Sequence, residues 1–200
     1  EKQLFVKRAI DIIISGLVLV LLGPILFLIG GLIKITSPGP VFFKQQRLGL
    51  RGRKFTLYKF RTMREGAHDV LSKVDDVAEM DTLEFRAKKK KWFTLLGRFL
   101  RKFSLDELPQ FFNVFVGHMS LIGPRPTVPD EVDKYKAWQR RRLSMKPGIT
   151  CLWQVNGRNN IGFEDWMKLD LEYVDNWSLW LDFKILAKTV PVVLFGIGAY

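Results

Sequence analysis

A second cysteine is missing from this chain. Its 200 residues hold one cysteine, Cys151, and two histidines, His68 and His118. One thiol cannot close an intrachain disulfide, which fits a reducing compartment. Two distant histidines without a second cysteine argue against a zinc site. Acidic charge is also short: 20 Asp and Glu stand against 32 Lys and Arg, for a net charge of +12. That excess points to anionic partners, whether nucleic acid, phosphorylated small molecules or an acidic membrane surface. Between Ile12 and Ile33 charge is absent altogether. The whole chain, 48% hydrophobic and 26% charged, has the composition of a folded domain with a core.

The uncharged run "IIISGLVLVLLGPILFLIGGLI" holds about 22 residues, long enough to cross a bilayer of roughly 30 Å. It lacks a small-x-small cleavage site followed by a polar segment, so it does not read as a cleaved signal peptide. Gly23-Pro24 falls at its midpoint. Proline removes a backbone donor and clashes with the preceding turn, and glycine loosens the helix. Each arm is then about 11 residues, or roughly 16 Å at the helical rise. Lys2, Lys7 and Arg8 precede the run, and Lys34, Lys44, Arg47, Arg51, Arg53 and Lys54 follow it. Positive charge favours the cytoplasmic side, and here both flanks are positive. A re-entrant helix bent at Gly23-Pro24 satisfies both flanks, and a kinked spanning helix remains the alternative. Asp11 stands one turn beyond Lys7 and is expected to pair with it or with Arg8 at the interface.

Beyond a Ser-Pro-Gly-Pro turn, "VFFKQQRLG" and "KFTLYKFRTM" read as two strands of a hairpin around Gly49–Gly52. Most of its basic charge reads as a solvated face near anionic lipid. Residues 64–91 read as surface helix and loop. In "WFTLLGRFLRKF", Trp92, Leu95, Leu96, Phe99, Leu100 and Phe103 recur at helical spacing, opposite Arg98, Arg101 and Lys102. This is a basic amphipathic helix of the kind that lies in a membrane interface. Arg125 sits between Pro124 and Pro126 and reads as an arginine buried among prolines. The stretch 132–150 begins helical and ends at Pro147-Gly148. "CLWQVNGRNN" reads as a short strand running into a turn that presents Arg158. Residues 163–195 read as two helices separated near Asn176.

The acidic pair in "KFSLDELPQFFN" has two readings. Ser104-x-x-Glu107 matches a capping box, and acids in a first helical turn are favoured by the macrodipole. Pro109 fits that helix poorly, because it would cost a backbone hydrogen bond at the fifth position. An irregular turn, or a helix starting only at Pro109, resolves the conflict. The second reading is chemistry. Arg125 and Arg158 sit in turns, and arginine suits bidentate phosphate contacts. Carboxylates beside arginines are what phosphoryl transfer needs, one acid to hold Mg²⁺ and one to act as nucleophile.

Five stretches together resemble the bacterial monotopic polyprenyl-phosphate phosphoglycosyl transferases. They are "AIDIIISGLVLVLLGPILFLIG", "GPVFFKQQRLGLRGRKFTLYKFRTM", "SLDELPQFFNVFVGHMSLIGPRP", "KPGITCLWQVNGRNN" and "LDLEYVDNWSLWLDFKIL", in that order, from about residue 3 to 195. The resemblance implies transfer of a sugar-1-phosphate from a UDP-sugar to undecaprenyl phosphate, with release of UMP. It implies Asp106 as a nucleophile that forms a covalent phosphosugar, and Glu107 as a ligand of the cofactor Mg²⁺. It implies a substrate- or phosphate-binding set of Lys59, Arg61, Arg101, Arg125, Arg158 and Asp170. The family's membrane helix breaks at Ser-Pro, so no serine hydrogen bond is carried over to Gly23-Pro24. The implied fold is α+β and mostly helical: a re-entrant membrane helix over 1–36, then one cytoplasmic catalytic domain over 37–200 with interfacial helices and a small β-hairpin. Its place would be the cytoplasmic face of a bacterial inner membrane, as a monotopic protein. The expected partners are the UDP-sugar, undecaprenyl phosphate and inner-membrane lipid, with a homodimer left open and nucleic acid not expected. The start at Glu1 and the "PVVLFGIGAY" ending resemble the C-terminal part of longer members that initiate exopolysaccharide or O-antigen assembly. A basic membrane scaffold without catalysis is the rival reading. It leaves unexplained an acidic pair beside arginines in rigid turns.

Overall fold

In the computed structural model, residues 2–67, 91–156 and 162–195 are described. Helix α1 (Lys2–Leu21) and helix α2 (Gly23–Thr36) meet at Leu22 with a bend of 60°. Pro24 stands in the first turn of α2, where a missing N–H costs nothing. The Gly-Pro break expected from sequence is therefore present. Among the described residues no single helix is long and apolar enough to cross a membrane, and only the bent pair passes that test together. Phe5, Ile13, Val20, Phe27 and Ile35 are exposed along this pair. Such a surface marks contact with lipid or a partner.

One face of α1 is polar and buried: Lys7, Asp11 and Ser15, one turn apart. The expected pairing of Asp11 with Lys7 or Arg8 does not form. Asp11 Oδ1 accepts from Leu121 N at 2.9 Å and Ser120 Oγ at 3.1 Å. Lys7 Nζ donates to Asp182 and to Ile122 O. Arg8 donates to the carbonyls of Val114 and Phe115 at 2.7 and 2.8 Å. The helix thus spends its charges on docking rather than on itself.

Strand β1 (Phe42–Leu48) pairs antiparallel with β2 (Lys54–Phe60), with Phe42 opposite Phe60 and Leu48 opposite Lys54. The hairpin and its Gly49–Gly52 turn match the sequence reading. Helix α3 (Leu95–Lys102) starts three residues later than the periodicity from Trp92 implies. Thr94 caps it by accepting from Gly97 N at 2.9 Å, while Met63 and Phe93 bridge as a strand pair. Gly97 is required there, because a Cβ would sit 2.0 Å from Thr62 O. The apolar face of α3 divides. Leu100 packs with Ile29, Ile33 and Phe60, while Leu95 is 83% exposed and Phe99 54%.

Helix α4 (Gln110–Phe115) leads to β3 (Ser120–Ile122), which pairs in parallel with β4 (Gly148–Thr150). This second sheet was not anticipated. It also corrects the strand expected over 151–160: the strand is Gly148–Thr150, and Leu152–Val155 is the short helix α6. Chain pairing takes the glycine-containing tripeptide, because a Cβ at Gly148 would come within 2.1 Å of Gly123 N. Between the strands lie helix α5 (Pro129–Asp133) and a 3-10 segment, Gln139–Ser144. Helices α7 (Phe163–Asp175) and α8 (Leu179–Leu194) close the chain on either side of Asn176, as expected. The main core gathers Phe55, Leu57, Val114, Met119, Leu121, Ile122, Tyr173 and Ile185. The reading of 64–91 falls mostly outside the described residues.

Candidate active site

The acidic pair sits in an irregular junction. Helix α3 ends at Lys102, and Ser104 adopts a left-handed conformation, φ +55°. Leu105–Glu107 form one 3-10 turn, closed by Glu107 N donating to Ser104 O at 3.1 Å. Ser104 makes no side-chain cap, so the capping box does not form. Pro109 is the N-cap residue of α4, where its missing N–H costs no helical bond. The awkward proline marks the seam between two helical segments.

Asp106 is 8% exposed and Glu107 half-buried. Burial, and then the neighbouring charge of Glu107, push the Asp106 carboxyl up to about 6. Lys59 and Arg101 pull it back down. Lys59 Nζ donates to Glu107 Oε1 at 2.8 Å, and the Arg101 guanidinium lies 4.5 Å from the Phe93 ring centroid.

Asn113 holds this turn against the hairpin. Its Nδ2 donates to Thr56 O at 2.7 Å and its Oδ1 accepts from Tyr58 N at 3.2 Å. The side-chain amide thus binds β2 as a neighbouring strand would. One turn of α4 separates Asn113 from Gln110, and Lys59 follows Tyr58 directly. The docking of one amide therefore sets Lys59 opposite Glu107.

A small cleft, open to solvent, lies here, lined by Arg47, Lys59, Glu107, Gln110, Arg125 and Gln154 among others. Glu107 lines the cleft, whereas the buried Asp106 beside it in the chain is not among the lining residues. Arg47 donates to Pro126 O at 2.9 Å and Gln45 Oε1 at 2.6 Å. Burial, then the nearby charge of Arg125, lower its guanidinium to about 10. Among the described residues, three cations and one carboxylate line the cleft, a balance that favours an anionic ligand.

Arg125 corrects one expectation, since it is exposed rather than buried among its prolines. Its guanidinium lies 5.4 Å from the Trp153 ring centroid and 5.8 Å from that of Trp166. Its backbone N–H donates to Asp170 Oδ2 at 3.3 Å. Asp170 is fully buried and ion-paired with Arg142, which is equally buried. Burial pushes the Asp170 carboxyl up to about 6, against the pull of Arg142. Asp170 therefore supports Arg125 from behind rather than facing the cleft. Arg61 turns elsewhere: it donates to Ser37 O at 2.7 Å and Pro38 O at 2.5 Å, bracing the turn after α2. Arg158 lies outside the described residues.

The structure thus gathers Lys59, Arg101, Asp106, Glu107 and Arg125 around one region. Sequence reading passed over Arg47, Asn113 and Arg142. Arg47 was counted with a solvated basic hairpin, and Arg142 is one of three consecutive arginines without a distinguishing pattern. Asn113, six residues past Glu107, carried no distinguishing pattern either.

For Mg²⁺ the donor set is small. Among the described residues no three of His, Cys, Asp and Glu converge. Two adjacent carboxylates fit the ion nevertheless, because Mg²⁺ takes one or two from a protein and completes its octahedron with water and substrate phosphate oxygens.

The sequence model of the family described as bacterial sugar transferase matches residues 2–196. The galactosyl transferase CpsE of Streptococcus agalactiae serotype III (strain NEM316) is 46% identical over 199 residues, covering 98% of this chain and 44% of that protein. The undecaprenyl-phosphate galactose phosphotransferase of Salmonella typhimurium is 43% identical over 201 residues, covering 98% and 42%. The exopolysaccharide production protein ExoY of Rhizobium meliloti (strain 1021) is 39% identical over 198 residues, covering 97% and 88%. The chain spans less than half the length of the first two relatives and most of the third.

Proposed function

The chain belongs to the bacterial sugar transferase family, and on that premise we propose that it moves a sugar-1-phosphate from a UDP-sugar to undecaprenyl phosphate, releasing UMP. The observation that carries this reading is the Asp106–Glu107 turn, set against Lys59 beside a cleft that also presents Arg47 and Arg125. The names of the Salmonella and Streptococcus relatives support the lipid acceptor and a hexose donor.

An Asp106 carboxylate oxygen attacks the sugar-linked phosphorus of the donor. The bond from that phosphorus to the bridging oxygen breaks, and UMP leaves with the electron pair. The product is an aspartyl phosphosugar. A phosphate oxygen of the lipid then attacks the same phosphorus. The acyl-phosphate bond breaks, and the Asp106 carboxylate is restored. Arg47, Lys59 and Arg125 offset charge on the phosphoryl oxygens in both steps. Glu107 would hold Mg²⁺, which supplies further charge neutralisation at those oxygens when bound. Above about pH 6 Asp106 is ionised and able to attack.

The bent α1–α2 pair is read as a re-entrant membrane anchor over 1–36. Both basic flanks then stay on the cytoplasmic face of the inner membrane, with 37–200 as the catalytic domain. Leu95 and Phe99 on α3, and Trp180 and Phe183 on α8, extend the exposed apolar surface toward that bilayer. The test is UMP release from a panel of UDP-sugars with undecaprenyl phosphate and Mg²⁺. UDP-galactose comes first, because two relatives are named for galactose. Release with one donor is expected, and no release with any donor overturns the reading.

A further inference from the structure

Behind the cleft, one buried ion pair grips the backbone of one cleft residue at both of its polar atoms. Asp170 Oδ2 accepts the Arg125 N–H at 3.3 Å. Arg142 Nη2 donates to the Arg125 carbonyl at 2.8 Å and also pairs with that same Asp170 oxygen. Arg142 Nη1 donates to the Tyr135 hydroxyl at 2.8 Å. The Arg142 guanidinium lies 4.9 Å from the Trp166 centroid, and the Arg125 guanidinium shares that ring. Arg47 holds the next residue through Pro126 O at 2.9 Å.

We propose that Arg142, through its pair with Asp170, is a positioning residue that aims Arg125 at the diphosphate of the donor. The inference rests on the donor reading given above. Three observations separate positioning from simple stabilisation. A buried ion pair is a poor stabiliser, since apolar residues of similar volume often do as well or better. Among the described residues, this one also leaves Asp170 Oδ1 and Arg142 Nε buried without a hydrogen-bond partner, a cost that a stabilising device would avoid. And both members hydrogen-bond to the backbone of one exposed, cleft-lining arginine. An arginine on a loop loses rotamer and backbone freedom when it binds phosphate, and a clamp that fixes its Cα beforehand removes part of that loss.

The test pairs an apolar replacement of both charges, Arg142→Met with Asp170→Leu, with the wild-type chain in nanodiscs. Removing both partners avoids a stranded charge, so a cooperative melt close to wild type is expected. The donor KM in UMP release should rise about tenfold, the scale of one lost charge-assisted hydrogen bond. The acceptor KM should stay within about twofold, since only the donor arm is disturbed. Binding of UDP alone, measured by calorimetry, should weaken by the same factor as the donor KM rises. An unchanged donor KM in the folded double variant overturns the proposal, and so does an equal rise in both KM values. Should the double variant not fold, Arg142→Lys carries the test. It keeps the charge opposite Asp170 but has one nitrogen for three acceptors, and a selective rise in donor KM is again the supporting result. Wild-type protein that releases no UMP from any donor overturns the functional reading instead.

Discussion

Lys59 Nζ stands 2.8 Å from Glu107 Oε1, and this contact joins the β-hairpin to the acidic turn. Both side chains are about a quarter exposed, so the pair is accessible from the cleft and contributes little to stability. Its effect falls on Asp106. Lys59 lowers the Asp106 carboxyl and Glu107 raises it. Lys59→Met should therefore move the acid limb of adduct formation to higher pH, and Glu107→Gln should move it to lower pH. Single-turnover adduct formation across pH 5–8 reads both shifts, and shifts in the same direction would contradict the electrostatic account. Glu107→Gln should also weaken the Mg²⁺ dependence of turnover.

Asp106→Asn should abolish the covalent adduct and turnover together, and it should stabilise the fold. The Asp106 carboxyl sits above its ordinary value, so the folded state binds its proton more tightly than the unfolded state. Stability then falls as pH rises from about 4 to about 6, and the full penalty stands above that range. The neutral amide carries no such penalty. A gain of roughly 1–3 kcal/mol is expected at pH 7, disappearing near pH 4. Thermal melts at the two pH values check it.

Lys7→Met should loosen α1 from the rest of the molecule. The Lys7–Asp182 pair is about nine-tenths buried, and Asp182 also accepts from the Tyr173 hydroxyl at 2.6 Å and Trp177 Nε1 at 3.2 Å. Removing the lysine alone strands a buried carboxylate, at about 3 kcal/mol or more. Lys7→Met with Asp182→Leu should recover most of the loss. A double-mutant cycle in nanodiscs measures the coupling, and a single-variant cost under about 1 kcal/mol would show that the pair is not the anchor.

Two glycines offer a matched pair. Gly97→Ala would drive a methyl against Thr62 O, so α3 must back away from the segment that follows β2 and carry Arg101 with it. A loss of about 1–3 kcal/mol and reduced turnover are expected. Gly31→Ala meets nothing within 4 Å, and there alanine should be neutral or stabilise α2 by up to about 1 kcal/mol. Chemical denaturation of the two variants side by side reads the difference.

Pro24→Ala should straighten the 60° bend at Leu22. Single cysteines introduced at Lys2 and Ser37 should label from one side of sealed vesicles in the parent, and from opposite sides in the straightened variant. Same-side labelling in both would show that the tertiary docking of α1, not the proline, sets the topology.

Local signals carried much of the fold. The two strand-like runs on either side of the Gly49–Gly52 turn specified the hairpin, because turn chemistry acts within a few residues. The Gly23-Pro24 break and the gap at Asn176 followed from the same short-range sterics. Ser104 misled, because a left-handed residue placed by the meeting of α3 and α4 overrode the capping pattern. The strands Ser120–Ile122 and Gly148–Thr150 were too short to show a period.

The site divides in the same way. Asp106 and Glu107 stood out because they adjoin in the chain, but the residues alone fitted a helix cap equally, and their catalytic role came from the family resemblance. The supports around them did not stand out, since Asn113 meets β2 more than fifty residues away and Arg142 meets Asp170 across 28. By itself the sequence determined an apolar run that must bend, a basic balance that seeks anions, a hairpin and an acidic turn. Each is a consequence of residues close enough in the chain to constrain one another. The partner of every buried charge was decided only by the tertiary structure. Lys7 passes over nearby Asp11 for Asp182, 175 residues distant, because burial makes an unpaired charge costly and the fold, not the chain, sets which partner is within reach.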